Sequence, residues 1–268
     1  MEYLLSLTSG RPKLKIALFD FDGTLSTLRY GWESIMEPMM LEMISGPTSV
    51  DEDLTREIKA YIDISTGIQT IYQMQWLVQS VKRYGRNPGA CDDPWLYKAE
   101  YNRRLMEIVE KRKADILTGN KSPENYMIKG SENFLAALKE NGIEIYAASG
   151  TDHPDVINEA EILGLRKYFK DIAGAPPGKA ACSKEAILRR LVYGNKLQGM
   201  EVAVIGDGKV EIALGREVGA ITIGVASIEE MLCGINPVKR ERLLKAGAHV
   251  ITGDFENVGE ILNWLDIK

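Results

Sequence analysis

Short apolar runs, each followed by polar or glycine-containing turns, mark the beginning and the second half of the chain. The first run, Ile16–Phe19, is followed directly by Asp20 and Asp22. Beyond residue 130, runs of strand length alternate with stretches of helix length, and the predicted strands are Ile143–Ala148, Asp171–Ala175, Glu201–Ile205 and Ala220–Val225. This alternation predicts the α/β class, with a doubly wound, Rossmann-like parallel sheet covered on both faces.

The residues between these two parts have a different pattern, in which no clear buried-strand run appears. Four stretches of helix length, separated by glycine and proline residues, are predicted to be helices: Trp32–Ile44, Glu52–Ile64, Ile68–Tyr84 and Pro94–Ile116. In the second of these, Leu54, Ile58, Tyr61 and Ile62 recur at the spacing of one helix face. The pattern therefore indicates an all-helical segment.

This change of pattern predicts two domains. We expect an α/β core domain of residues 1–29 and 130–268, interrupted after its first strand by a helical cap domain of residues 30–129. The insertion would leave the sheet beside Asp20 and Asp22 and could cover them like a lid. Lids of this kind exclude water and select substrates.

Composition and charge narrow the class of protein. The 268 residues are 45% hydrophobic and 26% charged, which is ordinary for a globular chain, and the net charge of −5 argues against a nucleic-acid partner. The cysteines Cys91, Cys182 and Cys233 have no metal-ligand spacing, which favours thiols in a reducing compartment. No run is long enough to span a bilayer, and the first residues do not resemble a signal peptide. We expect a cytoplasmic monomer or homodimer without a membrane partner.

Polar side chains come at the ends of the predicted strands or the starts of the helices that follow. Four segments share this placement: Asp20-Phe21-Asp22-Gly23-Thr24, Ser149-Gly150-Thr151, Lys184, and Gly206-Asp207-Gly208 with Glu211. In parallel sheets the carboxyl ends of the strands meet at the edge where ligands bind. Acids, a hydroxyl and a fixed cation suit phosphoryl transfer, in which Mg²⁺ and a lysine neutralise the charge of an attacking aspartate and of the phosphate.

These segments resemble the haloacid dehalogenase superfamily of phosphotransferases. The first motif of that family, DxDGT, is present as Asp20–Thr24, and the second, a serine or threonine after an apolar strand, matches Ser149 in AASGT. The fourth motif matches Gly206–Glu211, with Glu211 in place of the usual aspartate. The longer side chain leaves open whether Glu211 contacts the metal directly or through a water.

The third motif is a lysine, for which the chain offers two candidates. Lys179 lies in the loop PPGK, and Lys184 begins a helix that Ser183 is predicted to cap. The family usually places its lysine near the start of the helix before the fourth-motif strand. The resemblance therefore favours Lys184, with Lys179 as the alternative.

The resemblance implies a role for each matched residue. Asp20 would be the nucleophile and a metal ligand, and Asp22 would be the general acid and base, with its backbone carbonyl on the Mg²⁺. Ser149, the Gly150 amide and Lys184 would hold the phosphate oxygens. The remaining matched residues would be metal ligands or would position the substrate-binding loop: Asp207 and Glu211 at the metal, and Thr24 in the loop.

The second aspartate indicates the type of reaction. Family members that cleave carbon–halogen bonds lack it, because a halide needs no proton. The resemblance therefore implies a Mg²⁺-dependent phosphatase acting on a small phosphorylated metabolite through an aspartyl-phosphate. A phosphomutase of the same superfamily and a catalytically silent binding protein remain the alternatives. The candidates for substrate contacts in the cap and directly before it are Arg29, Tyr30, Trp32 and Lys82.

Overall fold

The apolar run Ile16–Phe19 forms a central strand, and all four of its side chains are buried. The computed structural model describes residues 1–5, 7, 13–49, 51–176, 178–180 and 184–267. Two residues named above, Cys182 and Ser183, lie outside this set, and so does the predicted helix cap at Ser183.

Seven of the nine described strands form one sheet. The strands are β1 (Glu2–Tyr3), β2 (Ile16–Phe19), β3 (Glu144–Asp152), β4 (Asp171–Ala175), β5 (Val202–Gly206), β6 (Ile221–Val225), β7 (Ser227–Ile228), β8 (Cys233–Ile235) and β9 (Val250–Thr252). The sheet order is β1-β9-β6-β5-β2-β3-β4, and β7 pairs with β8 separately. All neighbours in the sheet are parallel except β1, which runs antiparallel to β9. The predicted doubly wound α/β fold is confirmed.

Helices cover both faces of this sheet and form a separate group beside it. The described helices are α1 (Glu33–Ser45), α2 (Glu52–Ile64), α3 (Thr70–Tyr84), α4 (Pro94–Leu117), α5 (Ser131–Glu140), α6 (His153–Ile162), α7 (Lys184–Gly194), α8 (Lys209–Glu217), α9 (Pro237–Lys245) and α10 (Val258–Trp264). Short 3₁₀ turns lie at Pro123–Tyr126, Arg166–Tyr168 and Gly199–Glu201. Within the described ranges, no helix combines the length and apolar character that a membrane crossing requires.

The alternation of side chains along β2 distributes them between two hydrophobic clusters. Ala17 and Phe19 pack in the cluster that includes residues of α5, α6 and α10, and the Phe19 ring lies edge-on to Phe134 at 5.9 Å. Ile16 and Leu18 pack with residues of α7 on the other face. Burying a phenylalanine of this kind contributes about 1.5–3 kcal/mol. The packing on both faces fixes the strand, and with it the position of the residue that follows.

Helices α1–α4, here called the helical block, pack around a hydrophobic core of their own. Its fully buried members come from all four helices and include Met36, Met39, Met40, Ile58, Met74, Leu77 and Val109. Tyr61 and Trp76 stack with their ring centroids 3.8 Å apart. Helix α2 has the bounds that its pattern predicts, with Asp51 accepting a hydrogen bond from the Leu54 amide as N-cap. In the sequence, the helical block lies between β2 and β3.

Candidate active site

The strand order brings the predicted motif residues to one edge of the sheet. Strand β2 lies between β3 and β5, with Phe19 opposite Ala147 and Ile205 in the register. The Asp20 amide donates to the Ile205 carbonyl at 2.8 Å, so the sheet pairing continues one residue past β2. The carboxyl ends of these three strands therefore converge, as expected for a ligand site at this edge. Strand β3 continues past its predicted end at Ala148, with an irregular register, so Ser149–Thr151 form its last part and do not follow it.

Lys184 lies beside Asp20 at this edge. Its Nζ is 2.8 Å from Asp20 Oδ1 and 3.1 Å from Glu211 Oε2, and all three side chains are buried. Burial alone would lower the pKa of Lys184, but the carboxylates of Asp20 and Glu211 raise it above its usual value. Lys184 is therefore a fixed cation. The alternative candidate, Lys179, has an exposed side chain.

Three buried carboxylates form a compact acidic cluster. Asp20, Asp207 and Glu211 each offer one oxygen, and these oxygens lie within 4.8 Å of one another. Burial raises the pKa of Asp20 well above its ordinary value, and the charges of Glu211 and Asp207 add to the rise, whereas Lys184 opposes it. A divalent cation would relieve this repulsion, and the all-oxygen donor set suits Mg²⁺. The cluster therefore fits the predicted metal.

Glu211, the residue that departs from the family pattern, already has two protein donors. Its Oε1 accepts a hydrogen bond from the Gly208 amide at 2.6 Å, and its Oε2 accepts one from Lys184 at 3.1 Å. The side chain thus closes the turn that begins α8 and positions Lys184. Direct contact between Glu211 and a metal stays a prediction.

Asp22 is separated from this cluster and faces two hydroxyl groups. Its Oδ2 accepts hydrogen bonds from Ser149 Oγ at 3.0 Å and from Thr151 Oγ1 at 2.9 Å. Its Oδ1 lies 3.9 Å from Arg29 Nε and has no hydrogen-bond partner among the described residues. The two aspartates of the motif are thus in different surroundings, one among carboxylates and a lysine, the other among hydroxyls. The predicted metal contact of Asp22 through its backbone carbonyl stays a prediction.

Other parts of the chain come close to two glycines of the site, and glycine is required at the first of them. Gly23 has φ +74°, and a Cβ there would lie 2.5 Å from Asp207 Oδ2. A Cβ on Gly150 would lie 3.0 Å from the carbonyl oxygen of Ile68, in the loop between α2 and α3. Thr24, the other residue predicted in the substrate-binding set, donates from Oγ1 to Asp207 Oδ1 at 3.4 Å. The motif loop and the helical block therefore meet at this point.

Helix α9 supplies two contacts to Asp207 that sequence reasoning missed. Lys239 Nζ donates to Asp207 Oδ2 at 2.8 Å and to Glu229 Oε1 at 2.6 Å, and Arg242 donates to the Asp207 carbonyl at 3.2 Å. Burial raises the pKa of Asp207, but Lys239 and Arg242 outweigh it, so that the pKa is lowered overall. In the sequence, PVKRERLLK resembles an exposed charged helix, and no motif distinguishes Lys239 from its neighbours.

Removal of the Lys239 charge is expected to strengthen Mg²⁺ binding. The ammonium group lies against an oxygen of Asp207, where it repels a cation bound by the same carboxylate. We expect Lys239→Met to lower the Mg²⁺ dissociation constant at least about threefold in a calorimetric titration. The matched control is Lys245→Met, because Lys245 lies on the same helix, is exposed and pairs only with Glu241 among the described residues. Unchanged or weaker binding by the Lys239 variant would contradict this expectation.

A cavity of about 110 Å³ lies between the motif residues and the helical block. The block contributes lining residues from the α2–α3 loop, α3 and α4, namely Thr66, Gly67, Ile68, Thr70, Gln73, Lys98, Tyr101, Asn102 and Leu105. Of the substrate contacts expected from the sequence, Arg29 and Trp32 are in the lining; Tyr30 and Lys82 are not among its described residues. The other contributors from α4 lie far from any motif along the chain, and no sequence signal identifies them.

Comparison with known proteins agrees with this geometry. A family model described as haloacid dehalogenase-like hydrolase matches residues 14–219. The chain belongs to this family. The match ends before α9, so Lys239 and Arg242 lie outside the part that the family model describes. No protein with curated annotation matches the chain significantly.

Several solved structures have the same fold. A protein described as a predicted phosphoglycolate phosphatase from Haemophilus somnus is 16% identical, with a TM-score of 0.63 over 94% of this chain and 99% of its own. A β-phosphoglucomutase from Clostridium difficile is 17% identical, with a TM-score of 0.62 over 94% and 97% of the two chains. A haloacid dehalogenase-type hydrolase from Bacillus subtilis, bound to magnesium, is 15% identical, with a TM-score of 0.58 over 94% and 100%. Identities this low show the shared fold alone.

Proposed function

We propose that this haloacid dehalogenase-like hydrolase is a Mg²⁺-dependent phosphatase that cleaves small phosphate monoesters through an aspartyl-phosphate. The observation that carries the proposal is the different environment of the two motif aspartates. Asp20 lies in a buried cluster with a lysine 2.8 Å away, whereas Asp22 lies outside it, with a carboxylate oxygen that lacks a hydrogen-bond partner among the described residues. This separation suits a nucleophile and a proton carrier.

In the first half of the reaction, an Asp20 carboxylate oxygen attacks phosphorus. The ester P–O bond breaks, and protonated Asp22 donates its proton to the leaving oxygen, so that an alcohol departs. Lys184 is placed to bind a phosphoryl oxygen and to offset the negative charge that accumulates beside Asp20. Mg²⁺ bound at the acidic cluster would supply further positive charge to the phosphoryl oxygens.

In the second half, Asp22 takes a proton from a water molecule. The water attacks phosphorus, the bond to Asp20 breaks, and phosphate and the free Asp20 carboxylate are released. The hydroxyls of Ser149 and Thr151 now donate to Asp22, and they would hold its carboxylate in place for both proton transfers. The Gly150 amide would donate to a phosphoryl oxygen, whereas Ser149, which has one hydroxyl proton, could do so only by leaving Asp22.

The helical block supports a small substrate. Its α2–α3 loop approaches Gly150, and a Cβ on Gly67 in that loop would lie 3.3 Å from Glu211 Oε2. The cavity that remains, about 110 Å³, is far smaller than pockets for drug-sized ligands, about 300–1,000 Å³. We propose that the block covers the site as a lid, which would exclude a phosphate group on the surface of a folded protein.

The test is hydrolysis of p-nitrophenyl phosphate with and without Mg²⁺. We expect phosphate release that requires the metal, that stops when a chelator is added and that returns when excess Mg²⁺ is restored. Fast isomerisation of a hexose phosphate with slow hydrolysis would instead support the phosphomutase. The absence of turnover on p-nitrophenyl phosphate and a panel of phosphate esters, together with tight binding of one of them, would support a silent binding protein and overturn the proposal.

A further inference from the structure

The lining of the cavity contains an ion pair between Lys98 and Asp152. Lys98 and Asn102, on α4, both donate to Asp152 at the end of β3. Lys98 bonds one carboxylate oxygen, and the Asn102 amide bonds the other at 3.1 Å. Lys98 is 7% exposed, so its charge has little access to water and is balanced mainly by Asp152.

The other cations of the cavity are balanced in the same way. The basic side chains in the described lining are Arg29, Lys98 and Lys184. Arg29 donates to Glu159 at 2.6 and 3.0 Å, and Lys184 lies 2.8 Å from Asp20. Each basic group in the described lining thus already has a carboxylate partner. No basic side chain in the described lining is therefore left without a partner and available for a second anion on a substrate.

The count of charges leads to the same conclusion. Five acidic side chains lie in the described lining, against the three basic ones: Asp20, Asp22, Asp152, Asp207 and Glu229. With Asp22 protonated, as the first step of the proposed reaction requires, one divalent cation would leave a surplus of about one positive charge. The phosphoryl group of a monoester, with about two negative charges, more than offsets that surplus. A further carboxylate or phosphate would therefore enter a site with no surplus positive charge, in a partly desolvated cavity where repulsion is strong.

The remaining polar lining is uncharged. The helical block and β3 contribute hydroxyl and amide side chains, namely Thr66, Thr70, Gln73, Asn102 and Thr151. Thr66, Gln73 and Thr151 already donate hydrogen bonds to protein oxygens. Their own oxygens can still accept from hydroxyl groups, so they would bind a leaving group that carries several of them.

We infer that the site selects phosphate monoesters whose leaving group is uncharged and rich in hydroxyls, and that the Lys98–Asp152 pair excludes leaving groups with a second anion. The inference rests on the proposed function and deepens it. It disfavours acids such as phosphoglycolate as substrates, and equally the sugar bisphosphates that a phosphomutase must bind.

A matched pair of ligands tests the inference. Glycerol 3-phosphate and 3-phosphoglycerate are similar in size and differ by the replacement of a hydroxymethyl group by a carboxylate. We would measure their dissociation constants by calorimetry in the presence of Mg²⁺, using Asp22→Asn so that neither is hydrolysed while Asp20 and its pairing with Lys184 are kept. We expect glycerol 3-phosphate to bind at least about tenfold more tightly, a difference of about 1.4 kcal/mol.

Two further variants test whether the Lys98–Asp152 pair causes the preference for glycerol 3-phosphate. Adding Asp152→Asn leaves Lys98 without its carboxylate, and the tenfold preference should shrink or reverse in favour of 3-phosphoglycerate. Adding Lys98→Met as well removes the released cation and should restore the preference. Tighter or equal binding of 3-phosphoglycerate to the parent, no binding of glycerol 3-phosphate, or a preference that Asp152→Asn leaves unchanged would overturn the inference. Because these are binding measurements, they are independent of turnover on p-nitrophenyl phosphate, which alone decides the proposed function.

Discussion

Asp20→Asn is expected to abolish phosphate release from p-nitrophenyl phosphate. The amide has nearly the same shape as the carboxylate, but it is a poor nucleophile and cannot form the phosphorylated intermediate. Loss of a nucleophile commonly costs at least about 10³-fold in turnover. Initial rates of phosphate release at saturating Mg²⁺ would measure the loss.

The same variant should remain folded, which separates a chemical defect from a structural one. Asp20 is buried among Lys184, Glu211 and Asp207, and replacing it by a neutral amide removes repulsion between carboxylates. Lys184 keeps Glu211 as its partner at 3.1 Å. The matched control is Asp171→Asn, because Asp171 is exposed and is the first residue of β4, at the end of the strand away from the active site. Activity of Asp20→Asn close to that of this control would remove Asp20 from the role of nucleophile.

The elements of the core could be predicted because their signals are local. The run Ile16–Phe19 and the segment Asp171–Ala175 form strands with the predicted bounds, and α2 has its predicted bounds as well. Central parallel strands are buried on both faces, so their apolar runs stand out, and the turns after them carry the motif residues. Since parallel strands end at one edge, the placement of Asp20, Ser149 and Asp207 at that edge followed from the predicted parallel sheet, without knowledge of the strand order.

The short strands could not be predicted from any pattern. The strand β1 has two residues, and it is held by antiparallel pairing of Glu2 with Ile251 at the far end of the chain. Two residues show no alternation, and their conformation depends on a partner about 250 residues away. The β7–β8 pair, Ser227–Ile228 with Cys233–Ile235, is equally short and was missed for the same reason.

The roles of Lys98 and Lys239 were missed because their surroundings depend on how the helices pack. Lys98 and Lys239 lie on helices in which charged residues are frequent, and in the sequence each resembles an ordinary surface cation. In the structure Lys98 is buried against Asp152, and Lys239, with 12% of its side chain exposed, lies against Asp207. Only the three-dimensional packing distinguishes them from their exposed neighbours, so substrate selection is the part of function that motifs leave undetermined.

The two lysine candidates can now be separated by a matched pair of variants. We expect Lys184→Ala to lower kcat/KM for p-nitrophenyl phosphate by about 10²–10³-fold, and Lys179→Ala to leave it nearly unchanged. The reason is geometric: Lys184 Nζ is 2.8 Å from Asp20, whereas the Lys179 side chain is exposed. Initial rates at varied substrate concentration, with both variants at equal Mg²⁺, would measure the difference.

A second measurement, thermal unfolding, tests the same geometry without relying on catalysis. Loss of Lys184 leaves Asp20 and Glu211 buried without their shared cation, and removing one partner of a buried ion pair typically costs about 3–5 kcal/mol. We therefore expect Lys184→Ala to unfold at a lower temperature than Lys179→Ala. We also expect Mg²⁺ to raise the melting temperature of Lys184→Ala more than that of Lys179→Ala, because the metal replaces part of the lost positive charge. Equal melting temperatures for the two variants, or a larger loss of kcat/KM in Lys179→Ala, would show that Lys184 is not the cation that the acidic cluster depends on.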